Sequence, residues 1–291
     1  MKRIEVERIQ IEVGELAFDA LAAGPEEGEL ILMLHGFPQT SYSYRKQIPV
    51  LADWGFRVIA PDQRGYSAGA RPAGVEDYAI PRLVEDVAGM VDAIGRQTFH
   101  LVGHDWGAAV AWFAALAYPD RVASLVAVSM PHPYAFVEAL ESGTGEQARM
   151  SGYIETFRRQ GAEEMFLADD AALLRGIFDG AGLSDEDVQV YVDALGTPEA
   201  IGSALNWYRA MNLAAPPGSP EIALTPNQPI RMPTTYVWST GDVALGREGA
   251  EATAKYVEGP YRFEVLEGIG HWVPEEASER LNEVLRTHFA P

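Results

Sequence analysis

The chain contains no cysteine. That excludes disulfides, thiol nucleophiles and cysteine-ligated metal sites. Basic residues are scarce, 22 against 42 acidic ones, for a formal net charge of −20. Such a chain repels nucleic acid and anionic membrane, so neither is expected as a partner. Long hydrophobic runs are also missing. The most apolar stretch, Ala108 to Tyr118, is too short to span a bilayer. The opening residues MKRIEVERIQ carry charge and no apolar segment, so no secretory signal is expected, and the default is a soluble protein of the cytoplasm. Internal repeats and low-complexity tracts are lacking as well.

What is present is a globular composition. The 291 residues are 47% hydrophobic and 22% charged, enough for one large domain with an insertion or for two domains. Leu30 to Leu34 is a short unbroken apolar run, as a strand buried on both faces would be. Phe56 to Ala60, Thr98 to Val102 and Ala123 to Met130 read the same way. Between them Ile80, Val84, Val87, Val91 and Ile94 recur at helical spacing, and Ala108 to Tyr118 reads as a helix stopped by Pro119. Strand alternating with helix implies a parallel sheet with right-handed crossovers. Residues 4–11 and 15–22 read as an antiparallel pair at its edge. From about Pro131 to Ala215 the patterns are helical or loop-like, and a proline-rich return follows at Pro216, Pro217, Pro220, Pro226, Pro229 and Pro233. Thr235 to Thr240 and Tyr261 to Leu266 resume the strands, and Ala277 to Phe289 closes with an amphipathic helix. The expected organisation is an α/β core, residues 1–130 and 226–291, interrupted by a helical cap over 131–225. A cap inserted at a strand's carboxyl end would roof the place where open parallel sheets bind ligands.

The most informative stretch is Gly103-His104-Asp105-Trp106-Gly107. Its glycine spacing is that of a nucleophile elbow, the sharp strand-to-helix turn that presents one side chain above an α/β-hydrolase sheet. Asp105 stands where a serine would serve acyl transfer. A carboxylate can instead displace a leaving group from saturated carbon and form an alkyl ester. His35-Gly36-Phe37-Pro38 follows the first buried strand, so the backbone N–H groups of Phe37 and Trp106 are expected to form a two-donor oxyanion hole. Asp242, in Thr240-Gly241-Asp242, and His271, in Gly268-Ile269-Gly270-His271-Trp272, follow later strands in the order acid, then histidine. Each motif alone also has an ordinary structural reading: a glycine turn, a helix cap at Asp242, a surface histidine at 271. Their conjunction at four strand ends points to catalysis. Of the other histidines, His35 and His100 are expected to brace or pack, and His104 to point away from Asp105. Asp62 is expected to fix a turn.

The His-Gly-Phe-Pro turn, the Gly-His-Asp-Trp-Gly-Ala elbow and the Gly-His-Trp near the C-terminus resemble the epoxide hydrolases of the α/β-hydrolase fold. The resemblance spans nearly the whole chain and is strongest around 31–40, 98–122 and 265–275. It implies that two cap tyrosines hold the epoxide oxygen, and nominates Tyr153, in Ser151-Gly152-Tyr153-Ile154, and Tyr208, in Leu205-Asn206-Trp207-Tyr208-Arg209. It further implies a small apolar or aromatic epoxide and water as reactants, no metal and no organic cofactor. Phe37, Pro38, Trp106, Trp207 and Trp272 are expected to contact the substrate, while a monomer and a homodimer both remain open. Haloalkane dehalogenases resemble the chain in the elbow and its aspartate, but often place an amide donor where Phe37 stands. Haloacid dehalogenases place arginines where Trp106 and Ala109 stand. A non-catalytic ligand-binding descendant of the fold would have no need of Asp105, Asp242 and His271 together.

Overall fold

The computed structural model of the chain describes residues 4–211 and 228–290. Eight strands form one sheet: β1 (Glu7–Val13), β2 (Leu16–Ala23), β3 (Leu30–Leu34), β4 (Arg57–Pro61), β5 (Phe99–His104), β6 (Val122–Val128), β7 (Thr234–Ser239) and β8 (Tyr261–Leu266). Their spatial order is β1-β2-β4-β3-β5-β6-β7-β8. The first two strands pair antiparallel, and β2 runs antiparallel to β4. Every pairing from β4 through β3 to β8 is parallel. This is the α/β-hydrolase fold.

The twelve helices of the described residues are α1 (Ile48–Asp53), α2 (Ile80–Ala93), α3 (Trp106–Ala117), α4 (Pro133–Leu140), α5 (Glu146–Met150), α6 (Tyr153–Phe157), α7 (Ala162–Gly176), α8 (Asp185–Leu195), α9 (Pro198–Arg209), α10 (Arg247–Ala252), α11 (Val273–Glu276) and α12 (Ser278–Phe289). The period of two along β3 explains why its run is unbroken. Leu30, Leu32 and Leu34 pack toward α2 and α3, with Val84, Val87, Val110 and Trp112. Ile31 and Met33 pack the other way, with Ile48 and Leu51 of α1 and Leu281 and Leu285 of α12. Both faces of a parallel strand are covered, so neither can carry polar residues. The α3 helix is buried almost all round, which is why its sequence lacks a polar face. The short α1 was not anticipated: its six residues give too little periodicity to read.

Between β6 and β7 lie α4 to α9 and, among the described residues, no strand. The expected return of the chain to the core at 226, with Pro216, Pro217, Pro220 and Pro226, lies outside the described residues. No helix among the described residues is long and apolar enough to cross a membrane. Several polar contacts join this helical segment to the core. Arg45, before α1, reaches Asp187 of α8 at 2.8 Å and Glu275 of α11 at 2.5 Å. Tyr191 of α8 donates its hydroxyl to Glu275 as well. The Trp207 indole N–H donates to the carbonyl of Arg64 at 2.8 Å. Gln147 of α5 is buried and bridges the loop after β7, donating to the carbonyl of Ala244 and accepting from the N–H of Gly246, both at 2.8 Å.

Candidate active site

Asp105 is the hinge between β5 and α3. Its φ of 52° and ψ of −122° are rare for a residue with a side chain, and the conformation lifts the carboxylate out of the strand-helix line. The turn is possible only because its neighbours lack bulk. A Cβ on Gly107 would lie 2.0 Å from the carbonyl oxygen of Leu34, and one on Gly36 would lie 2.4 Å from the Asp105 Cβ and 2.5 Å from its Oδ1. The two glycine turns are therefore one seat. Within it, the Phe37 backbone N–H donates to Asp105 Oδ1 at 3.0 Å, and the Trp106 backbone N–H also stabilises the carboxylate. Both expected oxyanion donors thus converge on one oxygen-bearing group.

His271 lies across from this seat, after β8. Its Nδ1 donates to Asp242 Oδ2 at 2.9 Å. Its Nε2 stands 3.6 Å from Asp105 Oδ2. Asp242 takes both of the roles its sequence allowed: Oδ1 caps the following turn, accepting from the N–H groups of Ala244 (2.8 Å) and Leu245 (3.0 Å), and Oδ2 orients the imidazole. Burial opposes charge on all three groups, and each resists it. For His271 the Asp242 and Asp105 carboxylates overcome burial and raise the pKa to about 10. For Asp105 and Asp242 the partnership with His271, aided by backbone N–H groups, outweighs burial and holds each carboxyl below its ordinary value. The resting site is a carboxylate, an imidazolium and a second carboxylate.

Two further histidines, His104 and His35, brace this arrangement. His104 Nε2 donates to the His271 carbonyl at 2.8 Å, and its Nδ1 lies 3.1 Å from the Gln39 amide. Burial lowers its pKa to about 4, so it stays neutral. Its two ring nitrogens are engaged by Gln39 and the His271 carbonyl, so it serves the site by holding the backbone of His271. The Ser129 hydroxyl donates to the same carbonyl at 3.3 Å. His35 accepts the Gln63 N–H on Nε2 at 3.1 Å. Asp62 accepts the Ser41 N–H at 2.7 Å and so ties two loops together. Among the described residues no cluster of three or more His, Asp or Glu side chains is placed to hold a metal ion.

Asp105 opens into a cavity of about 220 Å³, whose walls include Trp106, Phe113, Met130, Phe136, Leu140, Tyr153, Ile154, Tyr208 and Leu245. The structure therefore brings both nominated tyrosines into the space above Asp105. Tyr153 opens α6, and Tyr208 lies in the last turn of α9. Their rings sit edge to face with centroids 6.2 Å apart. Tyr208 is further packed edge-on by Phe37 at 5.2 Å and Trp106 at 5.3 Å. Burial raises the pKa of both phenols, reinforced by Asp105 at Tyr153 and by Tyr153 and then Asp105 at Tyr208, so both keep their protons.

Four expected substrate contacts do not line this cavity: Phe37, Pro38, Trp207 and Trp272. Trp207 precedes Tyr208 on α9, points about 100° away from it, and is held by its indole N–H on the Arg64 carbonyl. Its ring packs on Tyr66 and on Trp106 instead. Trp272 donates its indole N–H to the carbonyl of Ile177 at 3.2 Å and packs on Phe178. Phe37 is sealed behind Tyr208, Phe157 and Phe166. Only Trp106 of the five remains a wall. Sequence reasoning missed most of the others, including Ile80, Phe113, Val137 and Leu140. Ordinary helical periodicity gave them no mark.

Residues 29–278 match the α/β hydrolase fold family. The chain is 33% identical to the AB hydrolase superfamily protein YfhM of Bacillus subtilis, over 91% of each chain. It is 32% identical to epoxide hydrolase A of Mycobacterium tuberculosis, over 87% of this chain and 88% of that one. It is also similar to the solved structure of a Bacillus megaterium epoxide hydrolase in complex with an inhibitor, with a TM-score of 0.86 and 29% identity over 97% of this chain and 100% of that one. With that likeness over nearly its full length and an aspartate in the elbow, the chain belongs to the epoxide hydrolase family of the α/β-hydrolase fold.

Proposed function

We propose that the protein is an epoxide hydrolase that opens its substrate to a vicinal diol through an alkyl ester on Asp105. One observation carries this reading: the Asp105 carboxylate and the phenols of Tyr153 and Tyr208 line one cavity, with His271 Nε2 3.6 Å from the carboxylate. Asp105 Oδ1 is occupied by the Phe37 N–H, so Oδ2 is the attacking atom. It forms a bond to a ring carbon as the carbon–oxygen bond breaks. An alkoxide is too basic to leave unaided near neutral pH, and Tyr153 and Tyr208 hold the ring oxygen while one of them protonates it. The helices between β6 and β7, which carry both phenols, roof the site and limit water.

The charge pattern supports the second step too. The imidazolium owes its high pKa to two carboxylates. Esterification removes the Asp105 charge and leaves one. His271 then releases its proton, which restores the phenol through solvent, and becomes a base. It takes a proton from water as the hydroxide attacks the ester carbon. The oxyanion forms on Oδ1, against the N–H groups of Phe37 and Trp106. Collapse expels the diol and returns Asp105 and His271 to their charged pair.

His271→Gln should alkylate yet not hydrolyse. Intact-mass measurement after mixing with an epoxide should show a stable adduct of the substrate's mass, with turnover down by about 10⁴-fold, as for loss of other orienting bases. Full turnover without an adduct overturns the two-step scheme. The dehalogenase reading is favoured only by Trp106, whose indole lines the cavity and could cradle a halide. Release of halide from haloalkanes at rates matching diol formation would restore it.

A further inference from the structure

The cavity is one-sided. Its walls come from α3, α4, α6, the end of α9, the start of α2 and the loop after β7. None comes from α7, α8, β8 or α11. On that opposite side the volume beside Asp105 and His271 is filled with rings. Trp272 packs edge-on against His271 at 4.8 Å and against Phe178 at 4.9 Å, and Phe178 stacks on Tyr191 at 4.9 Å. Behind Phe37, Phe157 and Phe166 close the remaining approach at 5.4 and 5.8 Å. Space therefore extends from the carboxylate in one direction, toward α4. Val137 is both a wall of the cavity and 46% exposed, so the cavity opens to solvent beside that helix.

The walls also define chemistry. Among the described residues, apart from Asp105, Ser151 and the two phenols, the side chains facing the cavity are hydrocarbon, aromatic or thioether, and no Lys or Arg is among them. A carboxylate or phosphate on the substrate would be desolvated beside Asp105 with no cation to meet it. At about 220 Å³ the space falls below the roughly 300–1,000 Å³ of sites that enclose drug-sized ligands.

We propose that the substrate is an uncharged terminal epoxide, with hydrogens on one ring carbon and a single apolar arm, aromatic or aliphatic, on the other. The ring sits between Asp105 and the tyrosine pair. The arm lies along α4 between Phe113, Met130, Phe136 and Leu140, with its far end toward Val137. An epoxide substituted on both carbons has to drive its second group into the Trp272–Phe178–Tyr191 stack. This rests on the epoxide hydrolase reading above.

The test compares matched substrates. Styrene oxide carries one arm, and trans-1-phenylpropylene oxide adds one methyl on the second ring carbon. A terminal phenylalkyl oxirane of the same carbon count places that carbon in the arm. The added methyl should lower kcat/KM at least 30-fold, and the lengthened arm should change it less than threefold. Because a methyl also slows displacement chemically, the Phe178→Ala variant supplies the steric control: opening the stack should shrink the discrimination at least fivefold. Equal losses for the two extended substrates, or discrimination unchanged in a folded Phe178→Ala protein, overturn the one-armed site while diol formation leaves the enzyme reading standing. Should Phe178→Ala fail to fold, the milder Phe178→Leu variant supplies the same control, and unchanged discrimination in it overturns the one-armed site. No diol from any of the three, and no adduct on His271→Gln, overturns the epoxide reading and the inference with it.

Discussion

The site has two halves made of different materials. The half built on the sheet (Asp105, Asp242, His271 and the Phe37 N–H) is fixed by hydrogen bonds and charge, each group held by a backbone turn at a strand end. The half built on helices (Tyr153 and Tyr208) is held by the edges of aromatic rings. Edge-to-face ring pairs each contribute about 0.5–1.5 kcal/mol beyond their burial and fix orientation loosely. Charge-assisted hydrogen bonds to backbone N–H groups are roughly twice as strong as neutral ones and fix single atoms. The sheet half can therefore place a nucleophile, while the helix half can adapt around a substrate.

The ion pairs repeat the contrast. In the core, Arg64 grips Asp86 of α2 through two hydrogen bonds of 2.7 and 2.6 Å, and both residues are buried. At the junction, Arg45 and Asp187 keep side-chain exposures of 19% and 23%.

The strongest way to break the comparison is to remove the phenol protons. If the rings only pack, Tyr153→Phe with Tyr208→Phe should leave turnover nearly intact. The proposed chemistry requires a loss of at least about 10²–10⁴-fold, the range of general-acid catalysis, with folding preserved because the rings remain. Steady-state diol formation decides. Next comes the buried pair. Asp86→Ala strands a guanidinium in the core and should cost about 3–5 kcal/mol in denaturant unfolding. A cost under about 1 kcal/mol would mean the pair is not what locks the Arg64 loop beneath Trp207.

A third measurement sharpens the electrostatic side. The folded chain raises the His271 pKa to about 10 from an ordinary value near 6.5. A raised base is stabilising in its charged form. Its contribution is fully present below about pH 6.5 and is lost as the pH climbs through the folded value near 10. The thermal midpoint should fall across that window in the parent protein, and His271→Gln should lack that part of the fall. Superimposable profiles would remove the imidazolium from the resting state. The smallest effect belongs to the junction. Asp187→Asn breaks a partly exposed pair and should cost about 0.2–1 kcal/mol, after allowing for solvent screening, with kcat/KM changed less than threefold.

The two halves also differed in how legible they were. β3 and the elbow stand out because a parallel strand must be apolar on both faces and a tight turn must shed its side chains. Those demands act within five residues, so Leu30–Leu34 and Gly103–Gly107 display them locally. Asp242 and His271 were readable because each follows a strand. Tyr153 and Tyr208 carry no local signature: only resemblance nominated them, and α9 could as well have turned Trp207 inward. Which of the two neighbours on α9 meets the cavity is set by tertiary packing, here by the Arg64 carbonyl that takes the Trp207 indole N–H. Trp272 was unreadable because its partner carbonyl, at Ile177, is 95 positions away. The clasp of Arg45 with Asp187 and Glu275 spans 142 and 230 positions, beyond any pattern in a window of sequence.

Position 36 has a consequence of its own. Wherever the chain has an open glycine, as at Gly143, where nothing lies within 4 Å, descendants are free to drift. At Gly36 one extra methyl would evict the carboxylate from its berth. Fold and reactivity thus share a single point of failure, and any lineage that keeps the trade must keep an atom missing there.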